Sequence, residues 1–221
     1  MSTADRFLGR AGAYAQGRPA YPEALGAWLA KRDLLAGGVA DVGAGTGLFT
    51  RLLLAHGARV VAVEPNPEMR AGLMTELAEQ IASGRLTVQP GTAEATGLPD
   101  ASVRLVTAAQ AAHWFTPDRA VREFRRVLAP GGKVLLVWND WRGEKTAFDL
   151  AYGGVVRRFQ AQDTPEVVSR PPEPELPLFF PGGFERAAFE NPLTLTRERL
   201  HALAGSVSYL PPPPVRPRTP R

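Results

Sequence analysis

The most chemically specific part of this 221-residue sequence is a loop at residues 41–47 that reads Asp-Val-Gly-Ala-Gly-Thr-Gly. Alternate glycines allow a tight turn and let a ligand lie directly against the backbone. Such a loop can hold a dinucleotide pyrophosphate, or the adenosine and amino-acid parts of another nucleotide. An acid, Glu64, follows 19 residues after Gly45, at the end of the next β-branched run. A carboxylate at that place can accept two hydrogen bonds from a ribose diol.

Three details of the loop bear on the ligand. A dinucleotide fingerprint spaced G-x-G-x-x-G from Gly43 needs glycine at position 48, where this chain has Leu48. Asp41 brings a negative charge to the loop, which suits a cationic ligand and repels a phosphate. The sequence has no Lys or Arg between Asp41 and Thr50 to neutralise a phosphate. The loop therefore disfavours a P-loop and a nicotinamide dinucleotide site, while Glu64 has a second interpretation as a charge at a helix N-terminus.

The elements that must position this loop alternate between strands and helices over residues 38–138. Short apolar runs predict strands at 38–42, 59–63, 86–88, 103–108 and 133–138. Amphipathic runs predict helices at 48–56, 68–81 and 120–128. Continuous apolar strands separated by helices predict an α/β, Rossmann-like, mostly parallel sheet with helices on both faces. Ligands of such sheets lie beyond the carboxyl ends of the strands, so the residues just after each strand are the functional candidates.

Proline usage divides the chain near residue 163, because 13 of its 21 prolines lie between Pro165 and Pro220. We predict four regions. Residues 1–36 are predicted to form an N-terminal helical lid segment, and residues 37–140 the nucleotide-binding core. Residues 141–209 are predicted to form a substrate-side insertion with a C-terminal strand and helix, and residues 210–221 a disordered Pro/Arg-rich tail.

The C-terminal part of the sheet is predicted to be incomplete. Residues 184–189 predict a sixth strand and residues 197–204 a helix after it. The run Pro211–Pro214 cannot supply a further central strand, because proline has no backbone N–H to donate. The C-terminal hairpin that the family resemblance described below implies therefore lacks one of its strands in this prediction. Either the end derives from a truncation or reading-frame shift, or another chain completes the edge.

Composition limits the classes of protein to consider. Hydrophobic residues make up 44% and charged residues 22%, and the sequence has no Cys, which excludes disulfides, Cys-ligated metals and thiol nucleophiles. The three histidines are scattered, so we predict no metal site. Three of the four net positive charges correspond to C-terminal arginines, at positions 216, 218 and 221. Because the sequence also lacks an apolar secretory or membrane-spanning run, we expect a cytoplasmic protein that binds neither nucleic acid nor membrane. We also expect a monomer or homodimer.

Three further segments carry a resemblance to a known family. Residues 14–22, 91–99 and 108–115 read Tyr-Ala-Gln-Gly-Arg-Pro-Ala-Tyr-Pro, Gly-Thr-Ala-Glu-Ala-Thr-Gly-Leu-Pro and Ala-Ala-Gln-Ala-Ala-His-Trp-Phe. With the glycine loop, they resemble the class I S-adenosylmethionine-dependent methyltransferases, in the type 11 (UbiE-like) domain group and its trans-aconitate-methyltransferase-like branch. The resemblance covers about residues 7–209. It implies S-adenosylmethionine (SAM) as cofactor and S-adenosylhomocysteine (SAH) as product.

The resemblance also implies a role for each cofactor-binding residue. Gly43, Ala44 and Gly45 would contact the cofactor through their backbone. Asp41 would bind its ammonium group and Glu64 its ribose. The other implied contacts are Pro65 and Met69 at the adenine pocket, Thr92, Ala93 and Glu94 around the adenine, and Ala109 and Gln110 beside the methionine moiety.

Residues on the acceptor side have two interpretations each. His113 is the candidate general base, or it forms a pocket wall with Trp114 without taking a proton. Tyr14, Arg18 and Tyr21 precede the first strand, where this architecture has a lid over the cofactor. Arg18 could attract an anionic substrate, or it could be an ordinary surface charge at a helix start.

The reaction implied is methyl transfer to an oxygen or carbon nucleophile of a small molecule, with a carboxylate as one candidate. This in-line displacement depends chiefly on alignment, which can supply up to about 7–11 kcal/mol. A hydroxyl acceptor benefits from a general base, whereas a carboxylate needs none. The alternative is a protein that binds SAM or SAH without catalysis, because of its altered C-terminus. An NAD-dependent oxidoreductase is disfavoured by Leu48 and Asp41.

Overall fold

Parallel strands form the central sheet of the computed structural model, which describes residues 18–139, 146–159 and 175–206. The five strands within these ranges are β1 (Val39–Val42), β2 (Val60–Val63), β3 (Leu86–Gln89), β4 (Val103–Ala109) and β5 (Leu128–Val137). They lie in the order β3-β2-β1-β4-β5, and each neighbouring pair is parallel. The predicted Rossmann-like sheet is confirmed, and its strand order reverses between β1 and β4.

Helices connect these strands and continue beyond them. The described residues contain α1 (Glu23–Lys31), α2 (Leu48–Ala55), α3 (Pro67–Glu76), α4 (Ala78–Ala82), α5 (Pro117–Val127), α6 (Ala147–Phe159), α7 (Leu176–Phe179) and α8 (Arg197–Ser206). A 3₁₀ turn covers Ala112–Trp114, between β4 and α5. Across the described ranges, no helix is both long and apolar enough to cross a membrane.

Both faces of the sheet are covered, because the strands carry apolar side chains on both sides. All four residues of β1 are buried. Val39 belongs to a cluster that includes residues of α1, α2 and α3. The next residue, Ala40, belongs to a second cluster, which includes residues of α5 and α7. The carboxyl ends of the strands are left as the edge where ligand-binding loops can collect.

The predicted helix over residues 68–81 is two helices, α3 and α4, which meet at Leu77 with a φ of −118°. Near this break, Thr75 Oγ1 donates a hydrogen bond to Ala71 O at 3.0 Å. A hydroxyl that bonds back to the preceding turn bends helices. The apolar stripe survives the break, since Leu73 and Leu77 are both buried.

The predicted sixth strand at residues 184–189 is wrong, because the described structure has no strand there. This stretch packs on α1 instead. The ring of Phe189 meets Trp28 edge-on with centroids 5.9 Å apart, and Arg32 pairs with Glu185 at 3.1 Å. Phe189, the large apolar side chain at the end of the stretch, thus packs on α1. The backbone of the stretch does not pair with β5. The predicted helix over 197–204 is confirmed as α8.

Candidate functional site

The glycine loop joins β1 to α2 and needs its glycines for two separate reasons. Gly43, Gly45 and Gly47 have φ values of +73°, +56° and +85°, in the left-handed region that favours glycine. A Cβ added at Gly43 would also lie 2.6 Å from the Cβ of Ala111, which is too close for two carbon atoms. The backbone N–H of Gly43 donates to Val63 O at 2.8 Å. The loop is therefore fastened to the end of β2 and packed against the segment after β4.

Asp41 lies one residue before the end of β1 and is only 1% exposed. Its Oδ2 accepts a hydrogen bond from Thr50 Oγ1 at 2.6 Å, and its Oδ1 accepts one from Thr107 Oγ1 at 2.9 Å. Burial raises the pKa of Asp41 to about 6, although both hydroxyls lower it, and the nearby charge of Glu64 raises it further. A carboxylate in such a place is stabilised in its charged form by a cationic partner.

Glu64 follows β2 directly and is 7% exposed. Its Oε2 accepts a hydrogen bond from Gly45 N at 2.9 Å, and its Oε1 accepts one from Asn66 N at 2.9 Å. Burial raises the pKa of Glu64, against the effect of these two N–H groups and of the Arg70 charge. Each carboxylate oxygen can accept about two hydrogen bonds, so capacity remains for hydroxyl donors.

The backbone after Glu64 is held by its own network. Asn66 caps α3, and its Oδ1 accepts from the backbone N–H of Met69 at 3.1 Å. Arg70 Nη1 donates to the carbonyl oxygens of Glu64 and Pro65 at 2.7 and 2.8 Å. Met69 is buried, whereas Pro65 is exposed. These bonds fix the direction in which the chain leaves β2.

A cleft beside the glycine loop brings together residues from distant parts of the chain. It is lined by Tyr21, Asp41, Gly43, Ala44, Leu48, Phe49 and Ala109. Tyr21 and Phe49 meet edge to face, with ring centroids 4.8 Å apart. Asp41 is the one charged residue among these lining residues of the described chain. Five of the residues predicted from the sequence therefore lie in one cleft whose charge is negative.

The turn predicted to frame an adenine, residues 92–94, lies beyond β3. Thr92 N donates to Ala95 O at 3.1 Å and Ala95 N donates back to Thr92 O at 3.3 Å, which closes the turn. The side chain of Ala93 is buried in the second core cluster. Glu94 Oε1 accepts from Thr116 N at 2.8 Å. These two side chains therefore support the turn, and none of its residues lines the cleft described above.

Gln110 follows β4 directly and has a left-handed backbone conformation, with a φ of +56°. Its N–H donates to Val137 O at 2.8 Å, and its side-chain Nε2 donates to Asn139 O at 3.0 Å. Left-handed conformations cost energy for residues other than glycine and are common at functional sites. Gln110 therefore joins the ends of β4 and β5 next to Ala109 in the cleft.

The 3₁₀ turn after Gln110 carries His113 and Trp114, whose ring centroids are 4.9 Å apart. His113 Nδ1 is buried and has no hydrogen-bond partner within the described residues. Burial, with a smaller effect of the Arg18 charge, lowers the pKa of His113 to about 4. The ring is therefore uncharged at neutral pH. Tyr14, also predicted for the lid, lies outside the described residues.

Comparison with known proteins identifies the family to which this arrangement belongs. Residues 40–136 match the methyltransferase domain family. An uncharacterized methyltransferase-like protein of Schizosaccharomyces pombe is 34% identical over 204 residues, which cover 89% of this chain and 75% of that protein. The chain belongs to the methyltransferase family. An uncharacterized methyltransferase of Mycobacterium tuberculosis is 43% identical over 152 residues, which cover 69% of this chain and 59% of the mycobacterial protein.

A solved structure extends the similarity to the fold. A protein described as a type II methyltransferase, from Anaeromyxobacter dehalogenans, is 31% identical with a TM-score of 0.53. The match covers 79% of this chain and 70% of that one. The chain spans about three fifths, 59%, of the length of the mycobacterial relative that it matches. Family and fold together support SAM as the cofactor.

The residues in and beside the cleft fit the chemistry of this cofactor. SAM carries a positive sulfonium and an ammonium group, and its ribose offers two hydroxyl donors. The ionised carboxylates of Asp41 and Glu64 are acceptors only. Neither Lys nor Arg is among the described residues that line the cleft, so a cationic ligand meets no repulsion from them.

The structure adds residues to the methyltransferase site that sequence reasoning missed. Thr50 and Thr107 bond both oxygens of Asp41. Thr107 is the register partner of Asp41 in the neighbouring strand. The sequence signal for Thr107 was a hydroxyl residue within the otherwise apolar second half of β4. For Asn66, the signal was an asparagine directly before a proline, which is a helix-start pattern.

Proposed function

We propose that this protein transfers the methyl group of SAM to an oxygen or carbon nucleophile of a small molecule. The observation that supports the proposal most strongly is the pair of buried carboxylates, Asp41 and Glu64, beside a glycine loop. The described residues that line the adjoining cleft include no Lys or Arg. Burial raises the pKa of both carboxyl groups, so each gains from a ligand that contributes positive charge or hydroxyl donors. A phosphate-bearing dinucleotide offers the opposite charge.

The roles of the protein groups follow from their positions. When bound, SAM supplies a methyl group on a positively charged sulfur. Asp41 would hold the ammonium end, and Glu64 would accept from the ribose while it keeps Gly45 in place. The rings of Tyr21 and Phe49 would exclude water from one wall of the cleft. The protein's contribution is alignment in a dry site, for which no metal is required.

The acceptor is proposed to enter near the 3₁₀ turn. Gln110 lies at the ends of β4 and β5, and His113 Nδ1 nearby has no partner within the described chain. The Arg18 charge acts on His113, so an anionic acceptor would be attracted to the same region. The resemblance to the trans-aconitate-methyltransferase-like branch makes small carboxylates the first acceptors to assay.

Two measurements test this function in sequence. Isothermal calorimetry with SAH is expected to show binding at a single site, whereas NAD is expected not to bind. Transfer of a labelled methyl group from SAM to a panel of small carboxylates, hydroxyls and carbon acids would then identify the acceptor. SAH binding without transfer to any member would favour a catalytically silent cofactor-binding protein. Failure to bind SAH would overturn the proposal.

The pKa of Asp41 predicts how SAH binding depends on pH. Protonation below about pH 6 removes the charge that holds the ammonium group. Binding is therefore expected to be about tenfold weaker at pH 5 than at pH 7, because one added proton must be released. Glu64 bonds the glycine loop at Gly45, and burial raises its pKa too, so its protonation is expected to change binding in the same direction. Calorimetry between pH 5 and 8 measures the dependence.

The free energy of unfolding of the cofactor-free protein is expected to fall as the pH rises, whereas SAH binding is expected to strengthen. The folded protein holds the Asp41 proton more tightly than the unfolded chain does, because burial raises the pKa from 3.8 to about 6. The contribution of Asp41 to the free energy of unfolding thus falls as the pH rises through this window. Asp41→Asn should remove the contribution of Asp41 to both dependences and leave that of Glu64. A variant with an unchanged binding profile would exclude Asp41 as the titrating group.

His113 can be tested by two substitutions that separate its possible roles. His113→Asn keeps a polar group near Nδ1 but cannot act as a base, and His113→Phe keeps the ring without a polar atom. If His113 only positions the acceptor, we expect kcat of the Asn variant within about tenfold of the native value, the effect of one hydrogen bond. Loss of a general base would lower kcat by about 10²–10⁴-fold in both variants. Steady-state kinetics with the acceptor found above distinguishes the two outcomes.

A further inference from the structure

Two asparagines, Asn139 and Asn191, lie where four separate stretches of the chain meet. Asn191 Nδ2 donates to Asn139 Oδ1 at 2.9 Å and to Ala20 O at 2.8 Å. Asn139 Nδ2 donates to Pro19 O at 3.4 Å, and its backbone oxygen accepts from Gln110 Nε2 at 3.0 Å. The segment before α1, the ends of β4 and β5, and the stretch before α8 are therefore joined by side-chain amides.

The two hydrogen bonds that Asn191 donates require an amide side chain at this position. A side-chain NH₂ group has two hydrogens, and both are used on oxygen acceptors, one on Asn139 and one on Ala20. An aspartate would have the same shape, but it would place carboxylate oxygens against these two acceptor oxygens. Asn139 differs, because the oxygen that accepts from Asn191 would be retained in an aspartate.

The junction is next to a wall of the cofactor cleft. Ala20, which accepts from Asn191, is followed directly by Tyr21. Tyr21 lines the cleft and meets Phe49 edge to face, and it is partly exposed. A partly exposed aromatic ring on an irregular segment is more restricted in position where the backbone beside it is held as well. The bonds from Asn139 and Asn191 to residues 19 and 20 supply that constraint immediately before the ring.

The stretch that carries Asn191 is itself anchored to the same N-terminal region. Phe189 packs edge-on against Trp28 of α1, and Glu185 pairs with Arg32, the residue directly after α1. Residues 185–191 therefore run along α1 and end at the junction. The end of this stretch is therefore hydrogen-bonded to the backbone directly before Tyr21.

We propose that the pair formed by Asn139 and Asn191 is a positioning element that holds Tyr21 over the cofactor cleft. The inference rests on the proposed function, since it assigns the pair an effect on cofactor retention. Neither asparagine is proposed to touch the cofactor. Their effect passes through the backbone of residues 19 and 20 to the ring of Tyr21.

The experiment uses the full-length protein with SAH as the probe, by calorimetry and by stopped-flow dissociation. Asn191→Asp is expected to weaken SAH binding about tenfold, the equivalent of losing two neutral hydrogen bonds, mainly through faster dissociation. Asn139→Asp retains the main acceptor and is expected to weaken binding by at most about threefold. Glu190→Gln, a charge-removing change at the exposed neighbouring residue, is the control and should bind as the native protein does.

A double-mutant cycle separates positioning from a general loss of stability. If the pair acts through Tyr21, Tyr21→Ala should remove most of the effect of Asn191→Asp on SAH affinity, so the two changes are not additive. Fully additive effects, or unchanged affinity in Asn191→Asp, would overturn the inference. Should Asn191→Asp not fold, Asn191→Ala supplies the same cycle without the added charge. Native protein that fails to bind SAH would instead refute the proposed function.

Discussion

Replacing Glu64 with glutamine is expected to weaken SAH binding by one to two orders of magnitude. The carboxylate accepts from Gly45 N and Asn66 N, one on each oxygen. In glutamine one of these oxygens becomes an NH₂ group, which would face an N–H donor and could not accept from a ribose hydroxyl. Hydrogen bonds to charged groups contribute about 1.5–3 kcal/mol, which corresponds to a roughly 10–150-fold change in affinity.

The matched control for this change is Glu79→Gln, the same substitution at an exposed residue of α4. Calorimetry with SAH should give the native affinity for the control and a much weaker one for Glu64→Gln. Affinity of Glu64→Gln within about twofold of native would show that Glu64 is only a charge at a helix start, the other interpretation of its position. The loop should also loosen, since Gly45 loses its acceptor.

Replacing Gly43 with alanine is expected to lower the free energy of unfolding by about 2–5 kcal/mol. The φ of +73° is strained for any residue with a Cβ, at a cost of about 1–2 kcal/mol. The new Cβ would also lie 2.6 Å from the Cβ of Ala111, and such overpacking costs about 1–3 kcal/mol more. Urea unfolding followed by circular dichroism measures the loss. SAH affinity should fall as well, because the loop must move away from its position.

Two further variants separate strain from steric overlap at Gly43. Gly84→Ala has nearly the same φ, +71°, but nothing lies within 4 Å of its Cβ position. It should therefore show only the backbone cost. Adding Ala111→Gly to Gly43→Ala removes the overlapping atom and should restore the stability lost to the overlap. If the double variant is no more stable than Gly43→Ala, the contact with Ala111 does not explain the requirement for glycine.

Much of the nucleotide-binding core could be predicted because its signals are local. Apolar β-branched runs separated by amphipathic ones predicted all five strands near their observed positions. The glycines of residues 43–47 predicted a tight turn, and in the structure all three have positive φ values. Asp41 and Ala44 could then be assigned to the same edge of the sheet, because the carboxyl ends of parallel strands share one edge. Both were found in one cleft.

Other features could not be read from local patterns. The apolar stripe over residues 68–81 is the same for one helix or two, so the break at Leu77 left no periodic signal. The family resemblance, and no local pattern, carried the predicted strand at residues 184–189, and Phe189 packs on Trp28 of α1 instead. Whether an extended stretch joins a sheet depends on the competing surfaces available, and these exist only once the chain has folded.

By itself, the amino-acid sequence determined the parallel sheet, the conformation of the glycine loop and the acids beside it, because apolar periodicity and glycine's tolerance of positive φ act over a few residues. The tertiary structure alone decided which distant groups complete the site. Thr107 reaches Asp41 across 66 positions, and Asn191 reaches Ala20 across 171. Each amide or hydroxyl has many acceptors of equal intrinsic strength, and the packing of the core selects the one that comes within hydrogen-bonding distance.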